Sequence, residues 1–264
     1  MGFKALQPVD HLFGDSLLNC FELKEDLKPS SRLWIVLPGL LGDSSIMQGI
    51  IPKNESALLL NYKSNESLHF NDYITELTNI ICNYKNTYKV SLIGYSMGGR
   101  LAFSVMPTIS IHIESLHLIS SGLPLQTDAE KKQKKQFDAM AIKKCNSLTP
   151  LEFSTWWYQL DIYRGFNEHP EFKSYVNQLA KKIDLKKISI LLKTLSSTQM
   201  KNELFNVSTP TTFIYGEKDS KYQNIAQKHN KFFNNLTISD IPNTAHLCWF
   251  EAPEAVKNIL TQTN

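Results

Sequence analysis

A serine flanked by glycines forms the clearest chemical pattern in the chain. Gly94-Tyr95-Ser96-Met97-Gly98 fits the pattern G-x-S-x-G, with a predicted strand before it and a predicted helix after it. In that context the serine occupies a sharp, strained turn that raises its hydroxyl above a sheet, and the glycines leave room for the turn. The pattern therefore predicts Ser96 as a nucleophile.

A serine hydroxyl needs a base, and in this arrangement an acid and then a histidine follow along the chain. Asp219 lies just past the apolar run Thr211–Tyr215, and His246 lies after the next predicted strand. Glu217 is the competing acid, which we interpret as a turn residue. We expect Ser96, Asp219 and His246 to form a catalytic triad.

The backbone of two loops is suited to stabilise an oxyanion. One donor is the amide after the nucleophile, here that of Met97, and the second comes from the loop after an earlier strand. That loop is Pro38-Gly39-Leu40-Leu41-Gly42, which makes the amide of Leu40 the second candidate. One such donor lowers a reaction barrier by about 3 kcal/mol.

Other polar side chains receive structural interpretations. His229 lies within a predicted helix and is expected at the surface, whereas His112 and His117 flank or enter a strand and are expected to pack. The densest basic run favours a solvated helix face over a nucleic-acid surface, and it comprises Lys131, Lys132, Lys134 and Lys135. None of these three histidines is assigned to the chemistry.

Short apolar runs that alternate with helical patterns indicate the elements that position the motifs, and they are typical of a parallel sheet with crossover helices. The predicted strands are Leu33–Leu37, Ala57–Leu60, Val90–Ile93, Leu116–Ile119, Thr211–Tyr215 and Leu236–Ile241. The predicted helices between them are Asn71–Tyr84, one beginning at Leu101, Tyr222–Phe233 and Ala255–Leu260. The fold class is therefore α/β, with a mostly parallel central sheet flanked by helices.

A long helical stretch interrupts this alternation between Thr127 and about Phe205. Its predicted helices are Lys131–Ala141, Pro150–Leu160, Phe172–Ile183 and Leu185–Leu195. One crossover needs far fewer residues, so we interpret residues 126–206 as a helical cap inserted between core segments 1–125 and 207–264. The cap is expected to cover Ser96, with Trp157 facing the pocket.

Composition narrows the class of protein. The chain has 264 residues, 42% hydrophobic and 20% charged, with a net charge of +3, which suits one globular enzyme domain. The four cysteines show no CxxC pair and indicate neither a zinc site nor a disulfide framework. No stretch approaches the roughly 20 apolar residues of a membrane span, and residues 1–13 lack an apolar signal core. We expect a cytoplasmic protein without metal or cofactor.

At these motifs the chain resembles the α/β-hydrolase superfamily. Within it, the chain is similar to the 2-succinyl-6-hydroxy-2,4-cyclohexadiene-1-carboxylate synthases of menaquinone biosynthesis. The stretches that carry this resemblance are Gly94–Arg100, Gly216–Tyr222, His246 with Glu251-Ala252-Pro253, and Trp157-Tyr158-Gln159. The more specific features are Arg100, which follows the turn at Ser96, and Lys221 and Tyr222, which follow Asp219.

The resemblance implies an elimination in which Ser96, activated by His246, removes a proton and pyruvate leaves as a conjugated diene forms. The substrate would be a tricarboxylate, and Arg100 would offer it a bidentate fork. Tyr95 and Trp157 are further candidates for substrate contact. The family's cap arginines fall near Lys134 and near Lys181 or Lys182, all lysines here.

The chain departs from the family at two loop positions, and other functions remain open. Pro38 stands where the family usually has histidine, and Ala245 stands where it has glycine. The main alternative is a serine carboxylester or thioester hydrolase acting on a small acyl substrate. A binding protein without catalysis is a third hypothesis. In each case we expect a small-molecule ligand and a monomer or small homo-oligomer.

Overall fold

Eight strands form one sheet in the part of the chain that the structure describes. The structure is a computed structural model, and it describes residues 7–8, 18–23, 31–53, 55–201 and 206–262. The strands are β1 (Gln7–Pro8), β2 (Leu18–Leu23), β3 (Arg32–Leu37), β4 (Ser56–Tyr62), β5 (Lys89–Tyr95), β6 (Ser115–Ile119), β7 (Thr211–Gly216) and β8 (Leu236–Ile241). Their spatial order is β1-β2-β4-β3-β5-β6-β7-β8.

Helices follow most of these strands. They are α1 (Phe70–Tyr84), α2 (Met97–Ser104), α3 (Met106–Ile109), α4 (Asp128–Cys145), α5 (Pro150–Trp157), α6 (Phe172–Ala180), α7 (Leu185–Thr194), α8 (Ser220–Lys228), α9 (Cys248–Glu251) and α10 (Pro253–Gln262). A 3₁₀ helix spans Ser44–Ile50. Asp43 caps that turn by accepting a hydrogen bond from the Ser45 amide.

The strand order reverses between β3 and β5. Strands β4, β3, β5, β6, β7 and β8 run parallel, while β1 and β2 add an antiparallel edge beside β4. The chain leaves β3 toward β4 and then returns to β5 on the other side of β3. In open parallel sheets, ligands bind in the crevice at such a reversal. The loops after β3 and β5 flank that crevice.

Strand β3 explains why the sheet is buried on both faces. Leu33, Ile35 and Leu37 pack in one apolar layer, and the alternate residues Trp34 and Val36 pack in the other. Side chains of a strand alternate between its two faces, so an unbroken apolar run needs helices on both sides. The same two layers anchor the helices that carry the site.

All six strands predicted from the sequence are confirmed, with ends shifted by at most two residues. The helix predicted from Leu101 begins earlier, at Met97, because it starts directly at the turn after β5. Strands β1 and β2 were not predicted. The β2 sequence LNCFEL mixes polar and apolar residues without a clean period, and its pairing with β4 is a long-range interaction.

The regular elements described between β6 and β7 are helices, apart from one isolated bridge between Val207 and Phe233. The segment contains α4, α5, α6, α7 and several 3₁₀ turns, and residues 202–205 lie outside the described residues. Two of its helices begin with capping boxes, Thr127 with Glu130 and Thr149 with Glu152. Such caps satisfy the free amides of a first turn. Of the described helices, none is long and apolar enough to cross a membrane.

Gly98 allows α2 to approach the end of β3, which gives a first prediction. A Cβ atom at Gly98 would lie 2.3 Å from the Leu37 carbonyl oxygen. Because this neighbour is backbone, Gly98→Ala is expected to lower the free energy of unfolding by about 1–3 kcal/mol. Denaturant titration measures it. Gly49→Ala is the matched control, since nothing lies within 4 Å of a Cβ there, and equal stability of the two variants would contradict the prediction.

Candidate active site

Ser96 occupies the strained turn that its motif predicts. It joins β5 to α2 with φ 50° and ψ −105°, a conformation that non-glycine residues rarely adopt. Its amide donates a hydrogen bond of 2.9 Å to the carbonyl of Ile119 on β6. The neighbouring strand therefore holds the turn, and the hydroxyl is directed to the crevice at the carboxyl ends of the strands.

The structure brings the three predicted triad residues together. His246 Nε2 lies 3.1 Å from Ser96 Oγ, and His246 Nδ1 lies 2.7 Å from Asp219 Oδ2. The side chains of His246 and Asp219 are fully buried. With a proton on Nδ1 donated to the carboxylate, Nε2 accepts the hydroxyl proton of Ser96. This is the geometry of a serine activated by a general base.

Local structure fixes both partners of the serine. Asp219 caps α8, where its Oδ1 accepts a hydrogen bond from the Tyr222 amide. The amide of His246 donates to the carbonyl of Ile162, at 3.1 Å, from the helical segment between β6 and β7. The imidazole is therefore positioned by a core helix on one side and by the helical segment on the other.

Burial controls the charge of His246. It lowers the pKa of His246 below the ordinary value of 6.5, while the hydrogen bond and the negative charge of Asp219 act in the opposite direction. The nearby cations Lys221 and Arg100 lower the pKa further. A base has to be neutral before it accepts a proton. His246 is therefore neutral, and able to act as a base, at neutral pH.

Aromatic rings enclose the imidazole. The centroids of the Tyr222, Tyr163 and Tyr95 rings lie 4.6, 5.1 and 5.4 Å from that of His246. Trp157 lines the cavity beside Ser96, and its Nε1 donates a hydrogen bond of 2.9 Å to Tyr163 Oη. Trp157 faces the pocket as the sequence analysis expected. Tyr95 lines a smaller crevice, with Ser96, rather than the main cavity.

The two predicted oxyanion donors lie at the same cavity as the nucleophile. Leu40, Ser96 and Met97 all line it. Met97 is the first residue of α2, where an amide has no partner within the helix. Gly42 closes the other loop with a hydrogen bond to the Gly39 carbonyl. The loop after β3 and the start of α2 thus flank Ser96 at the strand-order reversal.

The cavity above Ser96 is large and basic. Its volume is about 670 Å³, and four of its lining side chains are cationic: Arg100, Lys134, Lys221 and Lys228. Two lining carboxylates have cationic partners, since Glu130 pairs with Lys228 and Asp161 with Arg164. Arg100, Lys134 and Lys221 therefore give the space beside the nucleophile a positive character. Such a site suits an anionic ligand.

Arg100 is held by a single backbone contact. Its Nη1 donates a hydrogen bond of 2.7 Å to the Leu195 carbonyl, at the end of α7. Its Nε is buried, and no described residue forms a hydrogen bond with it. A buried donor without a partner is costly. The guanidinium therefore retains donor capacity for a ligand carboxylate.

Several expectations about individual side chains need correction. His229 is buried, with Nε2 3.1 Å from the Pro124 carbonyl, and is not a surface residue. It lies at the end of α8 against the cavity wall, where burial lowers its pKa. Lys134 belongs to the basic run predicted as a solvated face, yet it lines the cavity. Of the four lysines in that run, only Lys132 and Lys135 are exposed.

Other expectations concern residues outside the cavity. Lys181 and Lys182 are exposed, and neither lines the cavity beside Ser96. Lys181 is therefore not brought to the candidate site. Glu217 accepts a hydrogen bond of 2.7 Å from the Asn243 amide, in agreement with its interpretation as a turn residue. His117 packs in β6, as expected.

Sequence reasoning gave no site role to three residues that the fold brings to the site, although Lys221 was noted as a feature of the family resemblance. Lys221 and Lys228 lie seven positions apart on α8, and the spacing of two helical turns was a usable signal. Tyr163 lies in a short 3₁₀ turn, and its contact with His246 has no signal in the local sequence.

Sequence comparisons relate the chain to known proteins. No family model matches the chain. Over 238 residues the chain is 25% identical to a Bacillus subtilis protein assigned as a 2-succinyl-6-hydroxy-2,4-cyclohexadiene-1-carboxylate synthase, which covers 88% of the chain and 85% of that protein. It is 28% identical over 176 residues to protein PHYLLO of Arabidopsis thaliana, which covers 62% of the chain but only 10% of that much longer protein.

Solved structures show the same architecture. MenH from S. aureus superposes with a TM-score of 0.84 at 22% identity, covering 92% of the chain and 97% of MenH. An esterase from Exiguobacterium antarcticum superposes with a TM-score of 0.72 at 16% identity, covering 97% of each chain. The chain has the α/β-hydrolase fold. Ser96 lies in the sharp turn between β5 and α2, which is where α/β-hydrolases carry their nucleophile.

The lowered pKa of His246 predicts the acid limb of the pH profile of this α/β-hydrolase-fold protein. Activity falls when His246 becomes protonated, and burial places that transition below pH 6.5. We expect kcat/KM to fall as pH is lowered, with a midpoint below pH 6.5. Initial rates of turnover measured across pH 5–8 give the midpoint. A midpoint above 6.5 would contradict the environment described for His246.

The hydrogen bonds among the three residues predict non-additive mutant effects. Ser96→Ala and His246→Ala are each expected to reduce kcat by a factor of about 10⁴ or more, and the double variant to be little worse, because both act in one proton transfer. Asp219→Asn should be milder, since it orients the imidazole without contacting substrate. Turnover assays on folded variants measure this. A double variant that loses the product of the two single effects would refute the shared unit.

Proposed function

We propose that this protein is a carbon–oxygen lyase of menaquinone biosynthesis. It eliminates pyruvate from 2-succinyl-5-enolpyruvyl-6-hydroxy-3-cyclohexene-1-carboxylate and yields 2-succinyl-6-hydroxy-2,4-cyclohexadiene-1-carboxylate. The observation that carries the proposal is the basic cavity beside Ser96, where Arg100, Lys134 and Lys221 line the same space. Similarity to a synthase of this name over 88% of the chain supports the same substrate.

The triad moves one proton in this reaction. His246 accepts the proton of the Ser96 hydroxyl, and the serine oxygen abstracts a proton from the substrate ring. The ring electrons form the second double bond, and the bond between the ring carbon and the enolpyruvyl oxygen breaks. The proton that His246 took from Ser96 passes to the leaving enolate, which becomes pyruvate, and Ser96 keeps the proton from the ring, so both residues return to their starting states. The amides of Leu40 and Met97 stabilise the negative charge that develops as the proton leaves.

Three carboxylates have to be desolvated as the substrate enters. An ionised carboxylate in a cavity of low dielectric is strongly unfavourable unless a cation pairs with it. Arg100 lines the cavity, and its guanidinium offers a planar pair of donors to a ligand carboxylate. Lys134 and Lys221 supply point charges from α4 and α8. The cavity volume of about 670 Å³ is within the usual range for a small-molecule ligand.

A serine hydrolase acting on a small acyl ester or thioester is the alternative. It uses the same triad but forms an acyl-enzyme on Ser96, whereas the lyase only relays a proton through that serine. A neutral ester has no use for several cations around the nucleophile. The charge of the cavity therefore favours the lyase, and the two functions make opposite predictions for Arg100.

Arg100 gives the sharpest test. With the tricarboxylate substrate, Arg100→Ala is expected to reduce kcat/KM by a factor of about 10² or more, because a buried charge partner contributes about 2–5 kcal/mol. Hydrolysis of a neutral model ester should change by less than about threefold. Arg100→Lys should recover part of the loss, since charge returns without the planar fork. Pyruvate release coupled to a dehydrogenase, beside an ester panel, measures both activities.

Two controls accompany this experiment. Lys132→Ala removes an exposed cation of α4 that does not line this cavity, and should leave both activities unchanged. Thermal unfolding of Arg100→Ala shows whether loss of the Leu195 contact has destabilised the fold. If the wild-type protein releases no pyruvate and hydrolyses the esters, the lyase is excluded and the hydrolase takes its place.

A further inference from the structure

A buried carboxylate stands behind the cations of the cavity. Asp138 lies on α4, one helical turn after Lys134, and one of its oxygens forms a short ion pair with the Lys134 ammonium. Only 9% of the Asp138 side chain is exposed, so water contributes little to its solvation. Asp138 lines no described cavity that contains Ser96. It therefore acts on a ligand only through other residues.

The second oxygen of Asp138 reaches the end of α7. It accepts a hydrogen bond of 2.6 Å from the hydroxyl of Ser196, which is also buried. The Ser196 oxygen in turn accepts from the amide and the hydroxyl of Thr198, at 3.2 and 3.0 Å. A hydroxyl has one proton and two acceptor sites, so all the capacity of Ser196 is used. Its only proton points to Asp138.

Ser196 follows the residue that holds Arg100. The Leu195 carbonyl accepts the hydrogen bond from Arg100 Nη1 at 2.7 Å. Asp138 is thereby connected to both cations beside the nucleophile, directly to Lys134 and through two residues of backbone to Arg100. The two cations come from different parts of the fold, α2 and α4, and the carboxylate fixes the distance between them.

We propose that Asp138 is a positioning residue that holds Lys134 charged and Arg100 in place for the carboxylates of the substrate. This inference rests on the proposed function, because it assigns a role in binding the same anionic substrate. Asparagine cannot replace the carboxylate. An amide has one acceptor oxygen and one donor nitrogen, so it loses either Lys134 or Ser196.

The charged groups around Lys134 explain why it needs this partner. The pKa of Lys134 is lowered to about 8 by burial, by the positive charge of Arg100 and, to a smaller extent, by that of Lys221. Asp138 is the group that opposes them, by its charge and by its hydrogen bond. Glu130 and Lys228, which also line the cavity, neutralise each other in an ion pair. Without Asp138 the lysine loses its charge at a lower pH.

The first measurement needs no substrate. The ¹³Cε resonance of Lys134, assigned by its absence in Lys134→Arg, is titrated in the wild-type protein and in Asp138→Asn. We expect the midpoint to fall from about 8 by about one pH unit or more in the variant. Asp128→Asn is the matched control, since Asp128 lies on the same helix with an exposed side chain and a long contact to Lys131. An unchanged midpoint in Asp138→Asn would overturn the proposal.

The second measurement uses pyruvate release. At pH 8, Asp138→Asn is expected to raise KM for the tricarboxylate about tenfold with kcat within about threefold, because binding rather than proton transfer is affected. The defect should shrink toward pH 6, where Lys134 is protonated in both proteins, and a general loss of structure would not show this recovery. When Lys134 is replaced by arginine, the effect of Asp138→Asn on KM should no longer depend on pH, since a guanidinium stays charged.

A second variant keeps the test decisive if Asp138→Asn folds poorly. Ser196→Ala retains the ion pair but removes the link to α7, so Lys134 should titrate as in the wild-type protein while KM rises. An unchanged KM in Ser196→Ala would overturn the link to Arg100. If the wild-type protein releases no pyruvate, the proposed function fails, and the titration of Lys134 still decides whether Asp138 controls its charge.

Discussion

The strained turn at Ser96 is the constraint on which the rest of the site depends. A positive φ at a serine persists only if the surrounding structure holds it. Here β6 binds the Ser96 amide, and Gly98 lets α2 approach the end of β3. These contacts require parallel strands in register and a helix that begins directly after Ser96. In return, the turn places one hydroxyl where two loops and a histidine converge.

Electrostatics links the nucleophile to ligand recognition. The cations that give the cavity its positive character also disfavour a protonated His246, since Arg100 and Lys221 both lower its pKa. Asp219 opposes them at the imidazole, and Asp138 does the same at Lys134. Asp219 is thus paired with the catalytic base, and Asp138 with a cation of the cavity. The base stays neutral while the lysine stays positive, within one enclosed space.

Much of the core could be predicted from the sequence. Continuous apolar runs such as Leu33–Leu37 indicate buried strands, because no other element is apolar on both faces over so few residues. The G-x-S-x-G pattern is local, so it located Ser96, and the order of acid and base along the chain located Asp219 and His246. The structure brings these three within hydrogen-bond distance. Strand β2 was not predicted, because its pairing with β4 has no local sequence pattern.

The cavity, by contrast, was decided by tertiary packing. The family resemblance placed cap cations near Lys134 and near Lys181 or Lys182. Only Lys134 lines the cavity, because α4 packs toward α7 while the end of α6 faces solvent. Lys221, Tyr163 and Asp138 join the site through contacts between elements far apart in the chain. A helix with several charged residues has the same sequence pattern whether those residues face solvent or line a cavity. By itself the sequence determined which residues could react, and only the tertiary structure decided which charges surround them.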